Sequence, residues 1–207
     1  MKYRVSDTEY KQLEQWTHSY INDKCIIRNT LMPAKKAGEF YTWMFYLRRG
    51  LFNHMFLSAV SQMFIYKMER IDPHLDFQIS GLETAATPML AGIPLIARVY
   101  DDDINAFVVR QERKKYGLLN SIEGLPNTKP VVMLDDLCNS SASLSKCYKE
   151  LVSLNLEVCD TAFVLVNKSN KKTHSKKRLN SDMYLPPSMK VICLFTLDDF
   201  GLFNPSH

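Results

Sequence analysis

The sequence predicts an α/β fold in which a central parallel sheet is flanked by helices. Three observations carry that reading. From about residue 75 onward, short apolar runs alternate with stretches of helical spacing, the pattern of parallel strands joined by right-handed crossovers. One run, Val131–Leu134, delivers two adjacent carboxylates, Asp135 and Asp136, into small polar residues and then a helix. A length of 207 residues with an apolar fraction of 46% suits one domain with a real core. We expect a single domain over 1–207, with N-terminal helices in 1–70 and the core in 75–200.

Each element has its own signal. Ser6 and Glu9 form a capping-box pattern, and Tyr10, Leu13, Trp16, Tyr20 and Ile21 recur behind it at helical spacing. They predict a helix to about Lys24, with Pro33 marking its exit. The aromatic run Phe40–Leu47 reads as a strand. Phe56, Leu57, Val60, Met63, Phe64 and Met68 mark an amphipathic helix ending before Asp72-Pro73, and Met55 joins Met63 and Met68 as a core-facing stripe. Asp76–Ser80 is a short strand. Thr87-Pro88 opens a helix in the N-cap/N1 manner, and Pro94 within it predicts a kink or a late start. Ala106–Val109 is the next strand, then a polar stretch Arg110–Gly124, then the strand Val131–Leu134 and a helix from about Ala142 to Ser153. Ala162–Val166 and Lys190–Phe195 complete the sheet. Ligands of such sheets bind beyond the carboxyl ends of the strands.

Composition narrows the class. A net charge of +4 favours anionic ligands without marking a nucleic-acid binder. The five cysteines (Cys25, Cys138, Cys147, Cys159, Cys193) are scattered, with no C-x-x-C pair, so zinc or a disulfide framework is not expected and a reducing, cytoplasmic setting is. The opening MKYRVSDTEYKQ is too polar for a signal peptide, and no apolar run approaches a membrane span. His54, His74 and His174 are isolated. The basic segment Lys168–Arg178 lacks interleaved aromatics, so it reads as a solvated loop sooner than a nucleic-acid patch.

Val131–Ser143, VVMLDDLCNSSAS, carries the chemistry. Backbone N–H groups and the positive end of the next helix can face an anion, and the Ser and Asn side chains add donors. The carboxylates cannot meet a phosphate directly. They suit ribose hydroxyls, or magnesium through its waters. The alternative is that Asp135-Asp136 only caps the helix.

This stretch resembles the signature by which phosphoribosyltransferases hold phosphoribosyl pyrophosphate. The acidic pair matches in place, while Asn139 stands for a usual threonine and Ser141 and Ala142 for usual glycines. Gly81-Leu82-Glu83-Thr84-Ala85-Ala86-Thr87-Pro88 resembles the pyrophosphate loop of orotate phosphoribosyltransferases, with Ala85 at a position often lysine. Val108-Val109-Arg110-Gln111-Glu112-Arg113-Lys114-Lys115-Tyr116-Gly117 resembles their strand and catalytic loop: Arg110, Lys114 and Gly117 match, Gln111 replaces a lysine and Tyr116 a histidine. Ile122-Glu123-Gly124 matches the segment after that loop. Leu47-Arg48-Arg49-Gly50 is similar to the family's Leu-Lys-Ser-Gly, and Leu194–Phe200 to its closing strand. Asn167-Lys168 stands where an aspartate-arginine pair is usual.

The resemblance covers about Tyr41 to Phe200 and implies a type I phosphoribosyltransferase fold with a small hood of N-terminal and C-terminal segments. It implies transfer of a phosphoribosyl group to a pyrimidine such as orotate, release of pyrophosphate, a Mg2+ ion at Asp135 and Asp136, and a homodimer. Lys114, Arg110, Asp135 and Asp136 are the implied catalytic residues. The phosphoribosyl pyrophosphate site would comprise Asp135 to Ser143 (Leu137, Cys138, Asn139, Ser140, Ser141 and Ala142 between), Glu83, Thr84, Ala85, Arg110, Lys114 and Tyr116. Arg48, Asn139 and Lys168 would meet the base. The departures leave a second reading, a regulator, nucleotide sensor or effector on this fold.

Overall fold

A computed structural model of the chain describes residues 4–33, 40–112, 120–168, 173–175 and 185–202. Helix α1 (Asp7–Tyr20) starts on the expected capping box: the Glu9 amide donates to Ser6 Oγ at 3.3 Å, and the Ser6 amide to Glu9 Oε2 at 2.8 Å. Its last turn widens into a π-helical turn, Ile21–Cys25. The chain then enters a strand that the sequence did not signal, β1 (Ile26–Pro33), paired antiparallel with β2 (Phe40–Phe45). A register shift between Arg28 and Met32 breaks the pairing, with Asn29 at φ 57°. A single turn, α2 (Arg48–Leu51), leads to α3 (His54–Glu69), whose N-cap Asn53 accepts from the Met55 and Phe56 amides.

Met63 and Met68 are buried in the core, but Met55 is 57% exposed. Eight residues at about 100° each place Met55 some 80° around the helix from Met63. Likewise Trp16 is half-exposed and Thr17 takes the buried place on α1.

The main sheet comprises β3 (Gln78–Leu82), β4 (Ala106–Val109), β5 (Ile122–Glu123), β6 (Val131–Cys138), β7 (Val158–Asn167), β8 (Thr173–Ser175) and β9 (Lys190–Thr196), in the order β5-β4-β3-β6-β7-β9-β8. Five central strands are parallel, and β5 and β8 pair antiparallel at the two edges. The sheet is thus mixed at its margins. Strand β5 lies at the end of the stretch read as polar, Arg110–Gly124, and β8 inside the basic segment. α4 (Thr87–Val99) is continuous through Pro94, with Ala86 rather than Thr87 at its N-cap, and α5 (Ala142–Ser153) comes after β6.

Side chains of β6 alternate between two buried layers. Val132 and Leu134 join the layer of α1, α3 and α4, whereas Val131 and Met133 join the layer of α5. β7 does the same with Phe163 and Leu165 against Ala162 and Val164. Coverage on both faces explains why these strands are continuous apolar runs. Phe64 of α3 meets Phe163 edge-on at 4.9 Å and Phe77 at 6.2 Å, pinning α3 to the sheet.

The N- and C-terminal segments meet over one end of this sheet. Phe45 of β2 packs edge-on against Phe200 at 5.5 Å, and Phe200 stacks on His18 at 4.8 Å. His18 Nε2 also lies 2.6 Å from the Asp199 carbonyl oxygen. The β1–β2 pair is part of this cap of N- and C-terminal segments, the place expected of the small hood. No helix among the described residues is long and apolar enough to cross a membrane.

Candidate active site

The parallel strands run β4-β3-β6-β7-β9, so the chain reverses its direction of sheet growth between β3 and β6. Crossovers leave that junction on opposite faces, which opens a crevice at the carboxyl ends of the two strands. A cleft of ≈ 470 Å³ lies there, lined by Phe45, Tyr46, Leu47, Arg48, Glu83, Thr84, Ala85, Gln111, Asp135, Asp136, Leu137 and Ser143.

Gly81 makes the junction possible. A Cβ there would stand 2.5 Å from the Leu134 carbonyl oxygen and 2.5 Å from Ala86 Cβ, so any side chain would push β6 away just before its carboxylates. The next residues, Glu83-Thr84-Ala85, form the turn into α4, and the Glu83–Thr84 peptide is cis.

Asp135 and Asp136 lie within β6, not beyond its end, because β7 keeps pairing with them: Asp135 is opposite Val164, and Leu137 opposite Val166. The two carboxylates nonetheless come within hydrogen-bonding reach of each other, and both line the cleft. Asp135 points to the α5 side, where the Ser143 hydroxyl donates to it, and its Oδ1 accepts from the Asp136 amide at 3.0 Å. Asp136 lies within the field of Arg48. Asp135 is 4% exposed. Burial first, then the neighbouring Asp136 charge, push its carboxyl up to about 7. Burial raises Asp136 too, opposed by Arg48. Two buried acids with raised proton affinity hold negative charge poorly until a cation or a hydroxyl-rich ligand relieves them.

The loop after β6 reaches α5 through Ser141, whose backbone is left-handed (φ 63°, ψ 16°). Serine here adopts the conformation for which glycine is the usual choice. Among the described residues no side chain caps the α5 N-terminus, and Cys138 Sγ lies 3.3 Å from Ser141 Oγ. The amides of that first turn and the positive end of the helix suit an anion.

The cleft brings together Arg48, Glu83, Thr84, Ala85, Asp135, Asp136, Leu137 and Ser143 of the expected residues. Cys138, Asn139, Ser140, Ser141 and Ala142 belong to the adjoining strand end and loop, outside the cleft lining. Arg110 also stands outside it: its Nη1 donates to Glu123 Oε1 at 2.7 Å and its Nε to the Glu112 carbonyl at 3.3 Å. Lys168 lies beside the cleft rather than in it. Its amide donates to the Cys138 carbonyl at 2.8 Å, and its ammonium sits 5.0 Å from the Trp43 ring and 5.7 Å from Tyr41, where burial lowers its pKa. Lys114 and Tyr116 fall outside the described residues.

Sequence reasoning missed the wall formed by Phe45, Tyr46 and Leu47, although their place directly before Arg48 was a usable signal. It noted Gln111 only as a departure. The Gln111 amide donates to Glu83 Oε1 at 2.8 Å and its side-chain amide to the Glu83 carbonyl at 2.8 Å, while Lys146 Nζ donates to the Gln111 carbonyl.

No protein-family profile matches the chain. It is 26% identical over 126 residues to the orotate phosphoribosyltransferase of Rhodopirellula baltica, a match that spans 60% of this chain and 60% of that relative's length. Two solved structures of the Mycobacterium tuberculosis orotate phosphoribosyltransferase superpose on it. The complex with Fe(III) dicitrate gives a TM-score of 0.71 at 18% identity, covering 92% of this chain and 99% of that one. The complex with 5-phospho-α-D-ribosyl 1-diphosphate gives 0.59 at 16% identity, covering 95% and 94%. These structures establish the fold, with the cleft at its usual place for such sheets. The chain thus has the fold of the orotate phosphoribosyltransferases and resembles one of them in sequence over 60% of its length.

Proposed function

We propose that the chain transfers the phosphoribosyl group of phosphoribosyl pyrophosphate to a pyrimidine base such as orotate, releasing pyrophosphate. The observation that carries this reading is the convergence, in one crevice, of a buried carboxylate pair, the Glu83–Ala85 turn and Arg48, beside a helix N-terminus without a side-chain cap. Likeness to orotate phosphoribosyltransferases supports the choice of reaction, and a structure of one such enzyme holds the phosphoribosyl donor.

In this reading the loop 139–143 and the start of α5 hold the 5′-phosphate through backbone amides. Asp135 and Asp136 accept from the ribose hydroxyls and orient C1 toward the base. The Glu83–Ala85 turn receives the diphosphate, and Arg110 and Lys114 offset the charge gathering on it as the C–O bond lengthens. Attack by a base nitrogen needs positioning and charge stabilisation, not a covalent nucleophile. Arg48 grips a planar carbonyl or carboxylate edge of the base; Lys168 and Asn139 stand nearby.

The described residues hold no cluster of three or more metal-ligating side chains. Two carboxylates still fit Mg2+, which keeps several waters and takes the rest of its ligands from phosphates. Asp135 and Asp136 would hold it, where it would screen the diphosphate charge.

A homodimer is part of the proposal, supported by Leu95 and Val99, one turn apart on α4 and 71% and 67% exposed. A cytoplasmic setting is supported by five free cysteines.

The deciding experiment incubates the protein with phosphoribosyl pyrophosphate, Mg2+ and a panel of bases, and measures pyrophosphate. One observation favours the regulator or sensor reading: Arg110 is engaged by Glu123, and Gln111 stands where the similar enzymes have a lysine. Tight donor binding without turnover of any base would select it.

A further inference from the structure

Every hydrogen-bonding group of Gln111 is in use, although the residue is exposed. Its backbone N–H donates to Glu83 Oε1 and its side-chain N–H to the Glu83 carbonyl, both at 2.8 Å. Its backbone carbonyl accepts from Lys146 Nζ, and its side-chain oxygen lies 3.4 Å from the same ammonium. One residue at the exit of β4 thereby ties the turn after β3 to the second turn of α5.

An exposed glutamine loses roughly 1.5–2 kcal/mol of side-chain freedom when fixed. It is held here by four contacts, two of them to a charged amine and one to a carboxylate, which are the stronger kind. The two elements so joined border the two ends of the cleft. Glu83 and Gln111 line it directly, and α5 begins at the loop after Asp135-Asp136. A ligand with anionic groups at both ends can engage both only if their separation is right, and misplacement by about 1 Å can cost 10²-fold in rate.

We propose that Gln111, held by Lys146, is a positioning residue that sets the Glu83–Ala85 turn at a fixed distance from the α5 end of the cleft, and so seats the diphosphate. Glu83 serves as the far anchor of this brace: its carboxylate is turned onto the Gln111 amide, which leaves the turn backbone to face the ligand. Lys146 acts through Gln111. The inference rests on the phosphoribosyl reading of the cleft.

The test uses Gln111→Ala, Lys146→Ala, the pair together, and Lys146→Arg in the full chain. Both sites are exposed, and alanine suits the helix at 146. Calorimetry with phosphoribosyl pyrophosphate, inorganic diphosphate and ribose 5-phosphate separates the two ends of the cleft. Lys146→Ala should weaken the two diphosphate ligands by about tenfold, the loss of one charge-assisted hydrogen bond, and Gln111→Ala, which keeps both backbone contacts and loses the side-chain bond to the Glu83 carbonyl, by about fivefold. Ribose 5-phosphate should bind as in the unaltered chain. The double variant should lose less than the sum of the single losses, since both sites act on one chain of contacts, and Lys146→Arg should restore binding. Equal loss for all three ligands, additive losses, or unchanged diphosphate affinity would overturn the brace. If the unaltered chain binds neither phosphoribosyl pyrophosphate nor ribose 5-phosphate, the phosphoribosyl reading itself fails, and the brace with it.

Discussion

The guanidinium of Arg110 faces the carboxylate of Glu123 at 2.7 Å, across the antiparallel pair β4–β5. The carboxylate therefore competes with any anion that Arg110 is to meet. Arg110 and Glu123 are 24% and 45% exposed, so the pair is solvent-screened and worth at most about 1 kcal/mol. Glu123→Gln should lower the KM for phosphoribosyl pyrophosphate by up to about fivefold at low salt, with less effect at high salt. Steady-state kinetics at two ionic strengths checks this, and a KM that rises would mean that Glu123 orients Arg110 for its task.

The second expectation concerns Asp135. Its folded-state pKa, about 7, lies above the ordinary carboxylate value near 3.9 of the unfolded chain. The folded state thus holds a proton that the unfolded state gives up, and stability is greatest below the unfolded value and is lost as pH rises toward the folded one. Asparagine removes that titration. In metal-free buffer the gain in Tm of Asp135→Asn over the unaltered chain should grow from about pH 4 to about pH 7 and then flatten. Mg2+ with phosphoribosyl pyrophosphate should reverse the ranking, because only the carboxylate form holds a cation. Thermal melts across pH with and without ligand test both halves, and a gain independent of pH would show that Asp135 is not the strained acid.

Ser141 provides the third. An L-residue at φ 63° pays roughly 1–2 kcal/mol, partly offset because glycine is freer in the unfolded chain. Ser141→Gly should raise stability by up to about 1 kcal/mol while leaving donor binding intact. Denaturant unfolding measures it. A destabilised variant would mean that the contact between Ser141 Oγ and Cys138 Sγ outweighs the backbone cost.

Much of this fold is legible in the sequence, and the exceptions have physical causes. Four of the five parallel strands stand out as apolar runs because both faces of the sheet are covered, whereas β3 carries Gln78 and Ser80 and lies two residues beyond the expected Asp76–Ser80. Strand β1 does not, since Arg28, Asn29 and Thr30 sit in an exposed hairpin with no clean alternation. Strand β5 is two residues long and exists only through its pairing with β4. Adjacent aspartates suit a loop by propensity, yet β7 holds Asp135 in the sheet. Within the site, the acidic pair is a local motif and was readable. The contacts of Gln111 span 28 residues to Glu83 and 35 to Lys146, and no periodicity reports such a meeting.

The last expectation concerns the acceptor base. Arg48 opens α2 at the cleft wall, beside the exposed ring of Tyr46, with its guanidinium 5.7 Å from that ring's centroid. Its charge also reaches Asp136, so on the proposed reading it stands where the carboxylates that meet the ribose end and a base can begin. Lys168, by contrast, is held against Trp43 and Tyr41 of the hood, outside the cleft lining. The two cations should therefore differ in what they do. A guanidinium pairs with a planar carboxylate or carbonyl edge through two bonds, which a base lacking that edge cannot form. Arg48→Ala should remove the preference for orotate over adenine and hypoxanthine, costing roughly 2–3 kcal/mol in kcat/KM for orotate alone. Lys168→Met, which keeps the apolar stem against Trp43, should leave that preference in place and loosen the hood, read as faster proteolysis of the β1–β2 hairpin. Competition of orotate with the two purines in a single reaction measures the preference. Loss of selectivity in Lys168→Met with none in Arg48→Ala would exchange the two assignments, and equal use of purines by the unaltered chain would end the pyrimidine reading.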